Sequence, residues 1–100
     1  MEDKINELSE RVLSTCNQLL DECTAGHKKD YIFGNVWIND KYSIFIDCDS
    51  EPGGINYFWF SLERAEDEES IDEQDTNDIS EGSILGNIKF LLNRNEEILI

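Results

Sequence analysis

The sequence is poor in basic residues and in histidine, and each shortage excludes a class of function. Eight lysines and arginines stand against 23 aspartates and glutamates, which gives a formal net charge of -15 at pH 7. Nucleic acids and anionic membranes are therefore not expected partners, because both are bound through clustered cations. The single histidine, His27, follows the first predicted helix, where it suits the helix C-terminus better than it suits catalysis.

Cysteine is also scarce, and no long apolar run is present. Cys16, Cys23 and Cys48 leave an odd thiol if any two pair, and none of them belongs to a closely spaced pair. The chain starts with acidic and polar residues rather than with a signal peptide, and no run approaches the ~20 apolar residues of a membrane span. We therefore expect a cytoplasmic protein with inert thiols.

Motifs that carry chemistry are missing as well. The sequence contains no glycine-rich phosphate loop, no nucleophile elbow and no zinc-ligand spacing. Asp47, Asp49 and Glu51 alternate as the first ligands of a calcium loop do, but Pro52 and Phe58 stand where that loop needs glycine and glutamate. The sequence thus predicts no catalytic residue, no cofactor and no dedicated metal site.

The sequence is rich, by contrast, in regular apolar patterns. Apolar residues recur at spacings of three and four over residues 4–23, which predicts an amphipathic helix. The same spacing predicts a helix over residues 80–94, with Ser80 or Ser83 as its N-cap. The final EEILI either extends this helix or forms a short strand.

Three β-rich runs, 31–38, 41–48 and 55–62, lie between the helices. We therefore predict a single α+β domain with two layers, in which a three- to four-stranded antiparallel meander packs against an N-terminal and a C-terminal helix. The third run is apolar on both sides, which favours a position near the centre of the sheet or beneath a partner.

The predicted hairpin of the first two strands has Asn39 and Asp40 as a two-residue loop. That loop length places Val36 opposite Ser43. Because side chains alternate along a strand, Trp37 then belongs to the face that the helices cover.

Residues 63–82 contain the densest charge of the chain and are predicted to form an acidic loop, in which Arg64 is the only cation. Such a run is either a solvated surface or a binding surface for a cationic partner. Its position beside the aromatic third strand favours binding, with rings supplying affinity and carboxylates supplying steering. The predicted partner-binding residues are two rings and a rim of carboxylates: Asp47, Asp49, Glu51, Tyr57, Trp59, Glu66, Asp67, Glu68, Glu69, Asp72, Glu73, Asp75 and Asp78.

In size, acidity and layout the chain resembles the immunity proteins of bacterial toxin systems, of the colicin and contact-dependent growth inhibition types. The resemblance rests on the carboxylates of residues 63–82 and on the aromatic strand rather than on a sequence motif. It implies a cytoplasmic, non-enzymatic inhibitor that blocks one cognate toxin, often a basic nuclease. A phage-encoded anti-CRISPR or anti-restriction DNA mimic is the main alternative. A small enzyme or ion-binding domain, and a structural subunit of a larger assembly, also stay open.

Overall fold

A computed structural model describes residues 2–24, 33–51 and 54–99. Two helices flank a sheet in chain order: α1 (Glu2–Thr24), β1 (Phe33–Trp37), β2 (Tyr42–Glu51), β3 (Gly54–Arg64), β4 (Ser70–Thr76) and α2 (Glu81–Arg94), followed by a 3₁₀ turn at Glu96–Leu99. The strands pair antiparallel in the order β1-β2-β3-β4. The predicted α+β architecture, with a helix at each end, is confirmed.

Both helices cover the same face of the sheet, and the core lies between these two layers. The sheet contributes Ile44, Ile46, Phe58, Phe60 and Leu62, while the helices contribute Val12, Cys16, Ile84, Ile88, Leu91 and Leu92, all of them fully buried. Burying a large apolar side chain stabilises a fold by ~2 kcal/mol, so this layer is a major source of stability. No helix in the described part of the chain is long and apolar enough to span a membrane.

The C-terminal helix begins and ends as the sequence predicts, but the residues that follow it match neither predicted alternative. Ser80 is its N-cap, and the Ser80 side chain accepts a hydrogen bond from the Ser83 amide. Residues 96–99 form a 3₁₀ turn rather than a continuation of α2 or a strand, because the helix ends at Asn95. Lys4 Nζ donates to the Leu99 carbonyl at 3.2 Å and Asn39 Nδ2 donates to the Ile98 carbonyl at 3.0 Å, which ties this turn to α1 and to the first hairpin.

The register of the first hairpin differs by one residue from the prediction. Val36 pairs with Ile44 and Trp37 pairs with Ser43. The Ile38 amide donates to the Tyr42 carbonyl, so the turn contains the three residues between them rather than two. The Asn39 carboxamide oxygen accepts from the amides of Lys41 and Tyr42 and stabilises this longer turn.

This shift turns β1 over, because a slip of one residue exchanges the two faces of a strand. Val36 is buried and Trp37 is 52% exposed. The prediction that Trp37 faces the helices is therefore wrong. Tyr31 and Ile32, which the sequence assigned to the same strand, lie outside the described residues.

The prediction of a loop over residues 63–82 is also wrong, because Ser70–Thr76 forms the edge strand β4. Its inner side chains are polar and bond to α2: Gln74 Nε2 donates to Asn87 Oδ1 at 2.9 Å, and Thr76 Oγ1 lies 3.1 Å from Ser83 Oγ. A strand held in this way lacks the apolar alternation by which strands are recognised. Charge along an edge strand also discourages pairing with other chains.

Candidate functional site

The face of the sheet opposite the helices carries no described element, and we call it the open face. Alternate residues of the four strands project from it: Asn35, Trp37, Ser43, Phe45, Asp47, Asp49, Tyr57, Trp59, Ser61, Glu63, Ile71, Glu73 and Asp75. Aromatic rings lie in its middle strands and on β1, and carboxylates lie among them and along β4. This face combines apolar contact area with a strong negative field.

One row of the open face places an indole between two carboxylates. Trp59 of β3 pairs with Asp47 of β2 on one side and with Asp75 of β4 on the other. Directly paired residues have Cβ atoms roughly 5 Å apart, so both carboxylates flank the ring of Trp59. A shallow cavity of about 210 Å³ opens beside this row and is lined by Asp47, Asp49, Tyr57 and Trp59.

Tyr57 and Asp75 are linked across the same two strands. The Tyr57 hydroxyl donates to Asp75 Oδ2 at 2.7 Å. This bond, with the negative charge around it, raises the pKa of Tyr57 to about 12. The phenol stays protonated at neutral pH and can therefore donate to the Asp75 carboxylate.

A second cavity of about 420 Å³ lies at the other end of the open face, and we call it the Trp37 groove. Its floor and sides include Asn35, Trp37, Ser43, Phe45 and Glu63. The turn between β3 and β4 closes one end with Arg64, Ala65 and Glu68. The Ala65 amide donates to the Lys41 carbonyl at 2.8 Å, which fastens this turn to the first hairpin.

Glu63 is the half-buried carboxylate of this groove. Burial raises its pKa above the ordinary value, the hydroxyl of Ser61 lowers it by hydrogen bonding, and the negative charge of Glu68 raises it again. Among the described residues the recorded ion pairs are formed by Arg64 and Arg94, and neither involves Glu63. Glu63 thus has like charge nearby and no cationic partner in the described part of the chain.

The structure brings about half of the predicted partner-binding residues together. Asp47, Asp49, Tyr57, Trp59, Glu73 and Asp75 lie on the open face. Glu66, Asp67, Glu68 and Glu69 lie in the β3–β4 turn at its end. Glu51 is the last residue of β2, and its side chain is outside the described set.

Asp72 and Asp78 are separated from this group by roles inside the chain. Asp72 lies on the helix side of β4, where Arg94 and Asn95 bond to its carboxylate and lower its pKa. Asp78 Oδ1 accepts from the Ser80 amide at 3.1 Å at the start of α2, which lowers its pKa as well. Neither carboxylate extends the open face.

Trp37 and Glu63 are two open-face residues that the sequence does not place on the candidate surface. Trp37 was assigned to the covered face through the hairpin register, and Glu63 was counted as the first residue of a loop. The sequence does not reveal that the hairpin turn contains a third residue. The one local indication is Asn39, because an asparagine side chain often bonds to the backbone two residues ahead.

Comparisons with protein-family models, with curated proteins and with solved structures gave no match to this chain. Within residues 2–24, 33–51 and 54–99, no three His, Cys, Asp or Glu side chains are grouped so that they would hold a metal ion. A functional conclusion therefore depends on the chemistry of the open face itself.

Proposed function

We propose that this protein is a non-enzymatic inhibitor of the immunity type, which binds and neutralises a cationic protein toxin, in particular a nuclease, through the open face. The observation that carries the proposal is the row in which Asp47 and Asp75 flank Trp59 on a sheet face that no described element covers. An exposed second indole, Trp37, extends the same face.

The rings and the carboxylates have separate tasks in this proposal. Tryptophan and tyrosine are the residues that most often dominate binding energy when a partner buries them, so Trp59 and Tyr57 are the expected anchors. The net charge of -15 attracts a basic partner over a long range. Steering of this kind raises association rates to about 10⁸ M⁻¹s⁻¹ at low salt.

A nuclease suits this face because it holds phosphates in a cationic groove. Carboxylates on β4 and on the β3–β4 turn would occupy that groove and exclude the nucleic acid. An anti-restriction or anti-CRISPR DNA mimic would share the charge. The nature of the partner separates the two, since it is a toxin in one case and a defence complex in the other.

Photo-crosslinking tests the proposal in cells of the native source. A benzophenone amino acid replaces Asn35, which is exposed on the open face, and in a matched control it replaces Asn93, which is exposed on α2. We expect a basic protein to be captured from position 35 and not from position 93. Expressed alone, that protein should arrest growth, and co-expression of this chain should restore it.

Two further measurements decide whether the open face is responsible. Trp59→Ala should abolish rescue, whereas Phe90→Ala should keep it, because Phe90 is a 56% exposed ring on α2. The association rate should fall steeply between about 50 and 500 mM salt, where screening removes long-range attraction. A rate that salt does not change, or a captured partner that is a defence complex and harmless when expressed alone, would contradict the proposal.

A further inference from the structure

We infer that the Trp37 groove receives an arginine side chain of the cationic partner. The inference rests on the proposed function and names the chemistry that one part of the open face recognises. The groove lies at the opposite end of this face from the cavity beside Asp49 and Tyr57, so its occupant is a separate contact from the one at Trp59.

The aromatic part of the groove suits a planar cation. Trp37 is 52% exposed, whereas its neighbour Val36, on the helix side of β1, is buried. Phe45 lies in the neighbouring row and lines the same groove. A guanidinium over the face of an indole is attracted by the ring quadrupole, and tryptophan is the best of the aromatic residues for this contact.

The charged part of the groove lacks a counter-ion. Glu63 is half-buried, Glu68 is the like charge that faces it, and burial together with that charge keeps the Glu63 pKa raised. Arg64 also lines the groove, but its guanidinium lies 3.6 Å from Asp67 and 3.3 Å from Glu69 on the turn. The Ser61 hydroxyl offsets part of this electrostatic cost, and no described cation of this chain offsets the rest, so a cation from outside would relieve it.

The groove is built before a partner arrives. Three backbone hydrogen bonds of 2.8 to 3.0 Å hold the β3–β4 turn. The Arg64 amide donates to the Glu69 carbonyl, the Glu68 amide donates to the Arg64 carbonyl, and the Ala65 amide donates to the Lys41 carbonyl. Its floor is β-sheet, where Trp37, Ser43 and Glu63 occupy one row. A preformed pocket loses little conformational entropy on binding.

Arginine fits this arrangement better than the other candidate occupants. Its flat guanidinium stacks on a ring and at the same time donates two parallel hydrogen bonds to a carboxylate, whereas a lysine ammonium is a compact and strongly hydrated point charge. A second copy of this chain carries the same net charge of -15 and would be repelled.

A peptide titration followed by NMR tests the inference. The probes are acetyl-Gly-Gly-Arg-Gly-Gly-amide and the two peptides in which lysine or neutral citrulline replaces the arginine. We expect the arginine peptide to shift the Trp37 indole N–H resonance and to bind about tenfold more tightly than the citrulline peptide, since citrulline lacks the charge for both contacts. The lysine peptide should fall between them.

Variants of the intact chain locate the contact. Trp37→Leu and Glu63→Gln should each weaken binding of the arginine peptide about tenfold, in line with the loss of one cation–π or one charged contact. Trp59→Leu, which removes an indole from the other end of the face, should change the affinity less than about twofold. The amide spectrum of each variant checks that it is folded.

The outcomes separate this inference from the proposed function. Equal binding of the arginine and lysine peptides, or shifts at Trp59 with none at Trp37, would overturn the arginine assignment. If Trp37→Leu and Glu63→Gln leave toxin rescue intact while Trp59→Ala abolishes it, the inference fails and the proposed function stands. If no open-face variant affects rescue, both fail.

Discussion

Arg94 forms an ion pair with Asp72 through two hydrogen bonds, from Nε to Oδ2 at 2.7 Å and from Nη2 to Oδ1 at 2.9 Å. The pair joins the last turn of α2 to the acidic edge strand β4. The guanidinium also lies over the ring of Phe90, 4.7 Å from its centroid, and donates to the Glu73 carbonyl. Arg94 thus adds to the hydrogen bonds of Gln74 and Thr76 that hold this charged strand against α2.

We expect Asp72→Asn to lower the free energy of unfolding by about 1 kcal/mol at pH 7. Two hydrogen bonds strengthen the ion pair between Arg94 and Asp72, and its partial exposure to solvent limits the effect. Urea denaturation measures the change. Glu66→Gln is the matched control, since it removes one exposed carboxylate from the neighbouring turn and relieves repulsion. If both variants changed stability equally and in the same direction, the pair would have no structural role.

The same variant has a defined pH dependence. Arg94 lowers the pKa of Asp72 in the folded state, so the stabilisation is present above the pKa of an unfolded aspartate, about 4. It is lost as the pH falls through the lower folded-state value. The difference in unfolding free energy between wild type and Asp72→Asn should therefore be constant near pH 7 and shrink below about pH 4.

The helices and strands that the sequence predicts are those that the spacing of apolar residues determines. α1, α2 and the three apolar strands follow from burial patterns, and the Ser80 cap follows from the preference of helix N-termini for hydroxyls. β4 was missed because its inner face is satisfied by Gln74 and Asp72 bonding to α2, and such pairs have no period that local sequence reveals.

The sequence predicts the side of the sheet correctly for those site residues whose position depends on strand alternation alone. Tyr57 and Trp59 fall on one side of β3 and Phe58 on the other, as expected. Trp37 was misplaced because its side of β1 depends on the length of a turn, which a few hydrogen bonds of Asn39 determine. The length of this one turn therefore decides which face of the sheet carries the indole of Trp37.

Gly34 marks a close approach of α1 to β1. A Cβ at this position would lie 2.6 Å from Cγ2 of Thr15. We expect Gly34→Ala to destabilise the fold by ~1–3 kcal/mol, the usual cost of overpacking, as measured by thermal or urea denaturation. Thr15→Ser removes the clashing methyl group, so the double variant should recover most of this loss.

Gly86→Ala is the control for that experiment. A Cβ at Gly86 meets nothing within 4 Å, and the residue lies in the exposed interior of α2. This substitution should stabilise the protein by about 0.5–1 kcal/mol through helix propensity. A Gly34→Ala variant as stable as the wild type would contradict the predicted overpacking.

Glu63→Gln tests whether the half-buried carboxylate opposes folding. The folded-state pKa of Glu63 is raised, so its charged form is disfavoured by folding. The unfolding free energy of the wild type relative to the variant should fall as pH rises from about 4.3, the ordinary glutamate pKa, through the raised value. At pH 7 the variant should be more stable by about 0.5 kcal/mol, whereas a less stable variant would contradict unfavourable burial of the charge.

Glu68 adopts a left-handed backbone conformation, with φ at 57°, at the end of the Trp37 groove. Glycine has no steric cost there, so Glu68→Gly should raise the unfolding free energy by about 1 kcal/mol and also relieve the repulsion of Glu63. Glu66→Gly, in the same turn but without a positive φ, should lower the unfolding free energy by about 0.5 kcal/mol through chain entropy.

If the carboxylate of Glu68 belongs to an arginine-binding groove, the more stable Glu68→Gly variant will bind the arginine peptide more weakly than the wild type. Stability and binding would then change in opposite directions, which a residue kept for folding alone would not produce. An unchanged affinity would restrict the groove to Trp37 and Glu63.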